Sequence, residues 1–139
     1  MAYRGTRRYH HVNPYTWPAF LVGVFLILAG LFIAGYWVSF ILQGGMTGGL
    51  WTVENGTYLV FHQAAEVAAA VAAVAGGYGL LRGRPWGLSA ALVALGALLY
   101  ATINALGFSV YARPELFPAL AATLGAVLLS FVALRYGRR

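Results

Sequence analysis

Four runs of mostly apolar residues follow one another along the chain, at about positions 18–43, 57–81, 86–110 and 116–136. A helix that crosses a bilayer needs about 20 such residues, so each run predicts one span. The first is nearly uninterrupted and carries Gly23, Gly30, Ala34 and Gly35, a set of small residues suited to close helix contact. The second opens on aromatics and passes into an Ala-rich and Gly-rich stretch from Ala64 to Gly77, a surface that neighbouring helices can approach closely. Arg82-Gly83-Arg84-Pro85-Trp86-Gly87 reads as a tight basic turn with proline near the start of the next helix, and Tyr111-Ala112-Arg113-Pro114-Glu115 as the turn into the fourth. Short turns join antiparallel neighbours. The pattern therefore predicts an all-α, antiparallel four-helix transmembrane bundle.

The flanks differ in kind from the spans. Residues 1–17, with Arg4, Arg7, Arg8, Tyr9, His10 and His11, form a basic, aromatic interfacial arm, and Pro14 and Pro18 resist helix before the chain enters the bilayer. This arm lacks the small-residue cleavage site of a signal peptide, so it is expected to be retained. The segment 44–51 is glycine-rich and uncharged, with Trp51 as an interfacial anchor, and residues 137–139 are a basic tail. Asn55-Gly56-Thr57 matches a glycosylation acceptor, a three-residue pattern of low specificity.

Composition turns this pattern into a statement about surroundings. Of 139 residues, 61% are hydrophobic and only 9% charged, with a mean hydropathy of +0.76. Soluble domains carry about 25% charged residues, so this chain cannot present a water-facing exterior. The abundance of Ala and Gly, and arginine as the sole basic residue beside histidine, suit a GC-rich genome. There is no cysteine, which removes disulfides, thiol redox chemistry and thiolate-held metals as features of the chain itself.

The net charge of +6 points away from nucleic acid once its placement is read. Every arginine lies in a terminus or a connection between apolar runs. In a four-span arrangement the arm, the Arg82/Arg84 turn and the tail with Arg135, Arg138 and Arg139 share one side, leaving Arg113 alone opposite. The positive-inside rule makes that side, and both termini, cytoplasmic. The expected location is the cell's inner (plasma) membrane, as a multi-pass protein whose first partner is the lipid bilayer. Arg82 and Arg84 are candidates for anionic lipid headgroups, beside the simpler role of fixing topology.

Glu66 is the feature that calls for chemistry. An ionisable group inside a span costs several kcal/mol unless it is protonated, paired or wetted. His62 precedes it by four residues, one helical turn away on the same face, and Gln63 borders that surface. Measured from the outer ends of the spans at about 1.5 Å per residue, His62 lies ~6 Å deep and Glu66 ~12 Å, against ~7.5 Å for Asn104 and ~13.5 Å for Tyr100. Tyr100 and Asn104 share the four-residue spacing, so the two pairs are expected to face each other across the second and third spans. Thr123, Tyr36 and Ser39 fall in the same outer half, whereas the inner half is almost wholly Ala, Leu, Val and Gly. A polar pocket at the outer face, closed toward the cytoplasm, follows. The plain alternative is that these groups only hydrogen-bond between helices, worth about 1 kcal/mol each.

No metal site is expected, because His10 and His11 lie across the bilayer from His62, and no cofactor is implied. No nucleophile, base and oxyanion donor come together, so the chain is not expected to be an enzyme. The segments His62-Gln-Ala-Ala-Glu66, Gly79-Leu-Leu-Arg-Gly-Arg-Pro-Trp-Gly87 and Leu95-Gly-Ala-Leu-Leu-Tyr100-Ala-Thr-Ile-Asn104-Ala-Leu-Gly107 resemble a group of small, uncharacterised prokaryotic four-helix membrane proteins. That resemblance covers about the middle third of the chain and implies no assigned activity. Three functional expectations remain open: an accessory or binding protein whose pocket takes a small or lipophilic ligand or a partner helix; a proton-coupled transporter working as a homodimer through Glu66; and a structural subunit of a larger membrane complex. The partners to expect are therefore another membrane subunit or a second copy.

Overall fold

The computed structural model describes residues 17–43 and 53–136. The arm, the glycine-rich segment with Trp51, and the tail lie outside the described residues. Among those residues the chain is all-helical: α1 Trp17–Leu42, α2 Val53–Leu81, α3 Gly87–Ala112 and α4 Phe117–Tyr136, with a 3-10 turn, Pro114–Leu116, leading into α4. All four helices are long and apolar enough to cross a membrane. Helix α2 begins at Val53 and so carries Asn55 and Gly56 in its first turn. Poor helix formers are tolerated there because the first backbone N–H groups have no partner inside the helix in any case.

Small residues decide how the helices meet. A Cβ placed on Gly30 would come within 2.6 Å of the Ala70 carbonyl oxygen, and one on Gly77 within 2.5 Å of the Gly23 carbonyl oxygen, so α1 and α2 touch backbone to backbone. A Cβ on Gly76 would likewise stand 2.9 Å from Ala91 of α3. Along both contacts the numbers run oppositely: Gly23 meets Gly77 and Leu81 while Gly30 meets Ala70 and Val74, and Gly76 meets Ala91 while Gly79 meets Trp86 and Gly87. Helix α4 packs on α3 and more lightly on α1.

The connection between α2 and α3 closes in a few residues because glycine permits it. The Arg84 N–H donates to the Gly79 carbonyl at 2.9 Å and the Gly83 N–H to the Leu80 carbonyl at 3.1 Å. Those two bonds satisfy carbonyls that the helix end would otherwise leave open, a Schellman arrangement that needs a left-handed residue. Gly83 supplies it at φ 58°. Gly83→Ala is expected to lower stability by about 1–2 kcal/mol, measurable as an earlier unfolding midpoint in detergent; an unchanged midpoint would mean that the turn relaxes into another form.

The apolar core is concentrated at the end of the bundle that holds this turn, although Thr102 and Ser109 of α3 are also buried toward the other end. Buried positions on α1 are Ala19, Val22, Gly23, Leu26 and Gly30, with none beyond. On α2 the buried positions among residues with described side chains start at Ala69, and on α4 they are Val127, Ser130 and Leu134. Ala69, Ala70, Ala73, Gly76 and Gly77 let backbones close at that end. Toward the other end Trp37, Phe40, Phe61 and His62 are too bulky for the same approach, and packing loosens.

Candidate functional site around Glu66

Glu66 sits six residues into the apolar part of α2, which begins at Val60, about 9 Å along the helix. Its carboxylate is held by two side chains. His62 Nε2 lies 3.1 Å from Oε1, one turn earlier on the same helix. From α1, the Trp37 indole Nε1–H donates to Oε2 at 2.6 Å. The Glu66 side chain is 15% exposed and that of His62 23%.

Trp37 reaches this point by spacing. It lies seven residues after Gly30 and fourteen after Gly23, so the face of α1 that brings glycine to α2 also brings the indole to Glu66. The ring is fixed by edge-to-face contacts with Tyr36 and Phe40, with centroids 5.5 Å away in each case. Sequence reasoning named Tyr36 and Ser39 at this level but missed Trp37. The usable signal was the seven-residue repeat of Gly23 and Gly30, which points to position 37.

An indole N–H only donates, so Oε2 must act as an acceptor whatever the protonation state. Any proton shared within the group therefore lies along Oε1 and His62 Nε2. That line is where charge in the site can change.

The other expected residues fall differently. Tyr100 is 65% exposed, and the Asn104 side-chain amide donates to the Tyr100 backbone carbonyl at 3.0 Å, so neither hydrogen-bonds Glu66. The reason is rotational. The buried face of α3 carries Ala91, Ala94, Leu98 and Thr102, and a residue two positions from Thr102 is turned by about 200°. Thr123 spends its hydroxyl on the Ala119 carbonyl of its own helix at 2.9 Å, and α4 does not reach α2 among the described residues.

Thr102 was not singled out from sequence. Ten residues along α2 from Gly76 is Glu66, and ten along α3 from Ala91 is Ala101, so the register of the two helices puts Thr102 at the level of Glu66. It is 6% exposed, and its hydroxyl has no hydrogen-bond partner among the described residues. Ser130, by contrast, donates to the Ala126 carbonyl at 2.7 Å. An unbonded buried hydroxyl costs about 1–3 kcal/mol, a cost that a polar guest would remove.

Arg82 and Arg84 are exposed in the α2–α3 turn, and the Arg82 guanidinium stands 5.6 Å from the Tyr78 ring centroid. At the other end, Arg113 Nε pairs with Glu115 Oε1 at 2.6 Å, both side chains well exposed. The hydrogen bond that Arg113 donates to Glu115, with the carboxylate's charge, raises the Arg113 pKa above the ordinary value.

These features define a small helical protein with four helices able to cross a membrane and a carboxylate held between the first two. The chain belongs to the family defined by a domain of unknown function, DUF8058, which matches residues 19–136. No curated protein and no solved structure matches the chain.

Proposed function

We infer that this is a multi-pass membrane protein that binds a small or lipophilic molecule, without chemistry of its own, at the Glu66 site. The observation that carries this reading is the position of the Trp37–Glu66–His62 group: polar, partly exposed, and in the half of the bundle where the helices are least closely packed. The opposing registers of α1 with α2 and of α2 with α3 support antiparallel spans. Arg82, Arg84 and Arg135 lie at one end, and Arg113 at the other is countered by Glu115, which sharpens the charge bias that puts both termini in the cytoplasm. The pocket then opens in the outer leaflet of the plasma membrane of a prokaryotic cell, and Arg82 and Arg84 face the inner headgroups.

Native mass spectrometry of the tagged protein, gently extracted from its own membranes, tests this. The expected spectrum is a monomer or dimer carrying a defined small-molecule mass that Glu66→Gln loses. Equal occupancy in the variant, or no bound mass in either, would sink the reading. A stable larger assembly would instead identify a structural or accessory subunit.

A second reading rests on the His62–Glu66 contact, because a carboxylate and an imidazole in hydrogen-bond reach can exchange a proton. It makes the chain a proton-coupled transporter acting as a homodimer. The apolar packing of α1, α2 and α3 at the arginine-turn end opposes it, since a continuous path needs polar lining.

A further inference from the structure

The Glu66 carboxylate is incompletely satisfied, and the chain has little with which to complete it. A carboxylate offers roughly four acceptor positions. Trp37 takes one on Oε2 and His62 one on Oε1. No Lys or Arg occurs between Arg8 and Arg82, or between Arg84 and Arg113, and among the described residues His62 is the group bonded to Glu66 that can carry positive charge. Trp37, with Tyr36 and Phe40 packed on its ring, lies beside the carboxylate, and aromatic faces attract cations. Thr102, buried at the same level, adds an unused hydroxyl oxygen.

We propose that the Glu66 site takes a monovalent organic ammonium with an apolar body, and that the ammonium replaces a proton held by the Glu66–His62 pair. This rests on the binding reading above and names its ligand class. An ammonium has three donors and no acceptor, matching a carboxylate with acceptor capacity to spare, while an apolar body suits the apolar surroundings of the span. A carboxylate or phosphate ligand would meet Glu66 as a like charge.

The charge balance gives the proposal a second signature. With one proton on the pair, shared between Oε1 and Nε2, the site is neutral. When R–NH3⁺ binds, that proton leaves to solvent, the carboxylate pairs with the ammonium, His62 is neutral, and the site is neutral again. Among the described side chains, the other titratable groups of this half are Tyr36 on α1 and Tyr100 and Tyr111 on α3; α4 offers none between Phe117 and Leu134, and Arg113 and Glu115 are paired with each other.

The test uses the whole protein in an uncharged maltoside detergent, titrated calorimetrically with decylamine, decanol and decanoate in two buffers of different ionisation enthalpy. Decylamine is expected to bind saturably and release up to one proton per site, with decanol and decanoate giving only micelle partitioning. Glu66→Gln, checked for retained helicity and monodispersity, should weaken decylamine about ten- to hundredfold, the loss of a charge-assisted contact. His62→Gln, which keeps the carboxylate, should still bind decylamine but with altered proton release. Equal binding of decylamine and decanol, or unchanged affinity in Glu66→Gln, overturns the proposal. Glu66-dependent binding of decanol or decanoate alone overturns the ammonium and leaves the pocket standing, whereas no binding of any probe, with no small-molecule mass in the native spectra, removes both.

Discussion

Trp37→Phe should lower stability by about 1.5–3 kcal/mol, the range for losing a hydrogen bond to a charged group, whereas Trp37→Phe combined with Glu66→Leu should cost far less than the two single changes summed. The single change removes the indole donor at 2.6 Å and leaves Oε2 without that partner. Glu66→Leu alone has the mirror effect, stranding the indole N–H. Removing both polar partners strands neither, and replacing a bonded pair by apolar groups can be nearly neutral. Groups in direct contact show coupling energies of about 0.5–3 kcal/mol, and this pair belongs toward the upper end because it joins two helices. Unfolding in mixed micelles, followed by circular dichroism, supplies the four free energies. Additive costs would show that Trp37 and Glu66 do not share a bond in the folded protein.

That pair also marks where the sequence stopped being informative. Four apolar runs, broken by glycine and proline, suffice to place four helices, because in a bilayer the backbone must satisfy itself within each segment. The contact between His62 and Glu66 was equally legible, since residues four apart on a helix are neighbours whatever surrounds them. Partners on other helices were not. Depth arithmetic correctly puts Tyr100 near the level of Glu66, but depth does not fix rotation. On α3 the face toward α2 is set by Ala91, Ala94, Leu98 and Thr102, the residues small or apolar enough to bury, and Tyr100 lies on the other side at 65% exposed. For α1 the rotation was readable in principle. Gly23 and Gly30 are the residues without side chains, they must face the closest neighbour, and Trp37 continues their seven-residue repeat.

The loose packing around Glu66 has the same origin. Within lipid, helices gain little from excluding water and associate through close van der Waals contact, which small residues allow. From Ala69 to Leu80, α2 presents alanine and glycine at its contacts, and the backbones meet. Beyond that stretch α1 offers Trp37 and Phe40, and α2 offers Phe61 and His62. A polar cluster there costs less than it would in the dry half, since water or a guest can reach its unfilled acceptor positions.

Gly30→Leu should therefore be the most damaging single change in α1, and it should reach the Glu66 site without touching it. At Gly30 even a methyl carbon would stand 2.6 Å from the Ala70 carbonyl oxygen, a backbone atom that no rotamer change can move. Overpacking costs about 1–3 kcal/mol and occasionally more; Gly30→Ala should fall in that range and Gly30→Leu above it, because the helices must separate to admit the side chain. Trp37 lies seven residues further on, about 10.5 Å along the same face, so a separation centred at Gly30 lengthens the indole–carboxylate bond as well. Gly35→Ala is the control. A Cβ there meets nothing within 4 Å, and alanine is the better helix former by up to about 1 kcal/mol, so stability should hold or rise. Unfolding midpoints in detergent rank the three variants, and the indole N–H resonance of Trp37 reports its hydrogen bond. Damage from Gly35→Ala matching that from Gly30→Ala would mean that both faces of α1 are packed in the folded protein, the second against another subunit. An unmoved Trp37 resonance in a destabilised Gly30→Ala would mean that the glycine contact and the carboxylate site are energetically independent, leaving the tight half of the bundle to set stability while the loose half is free to serve the ligand.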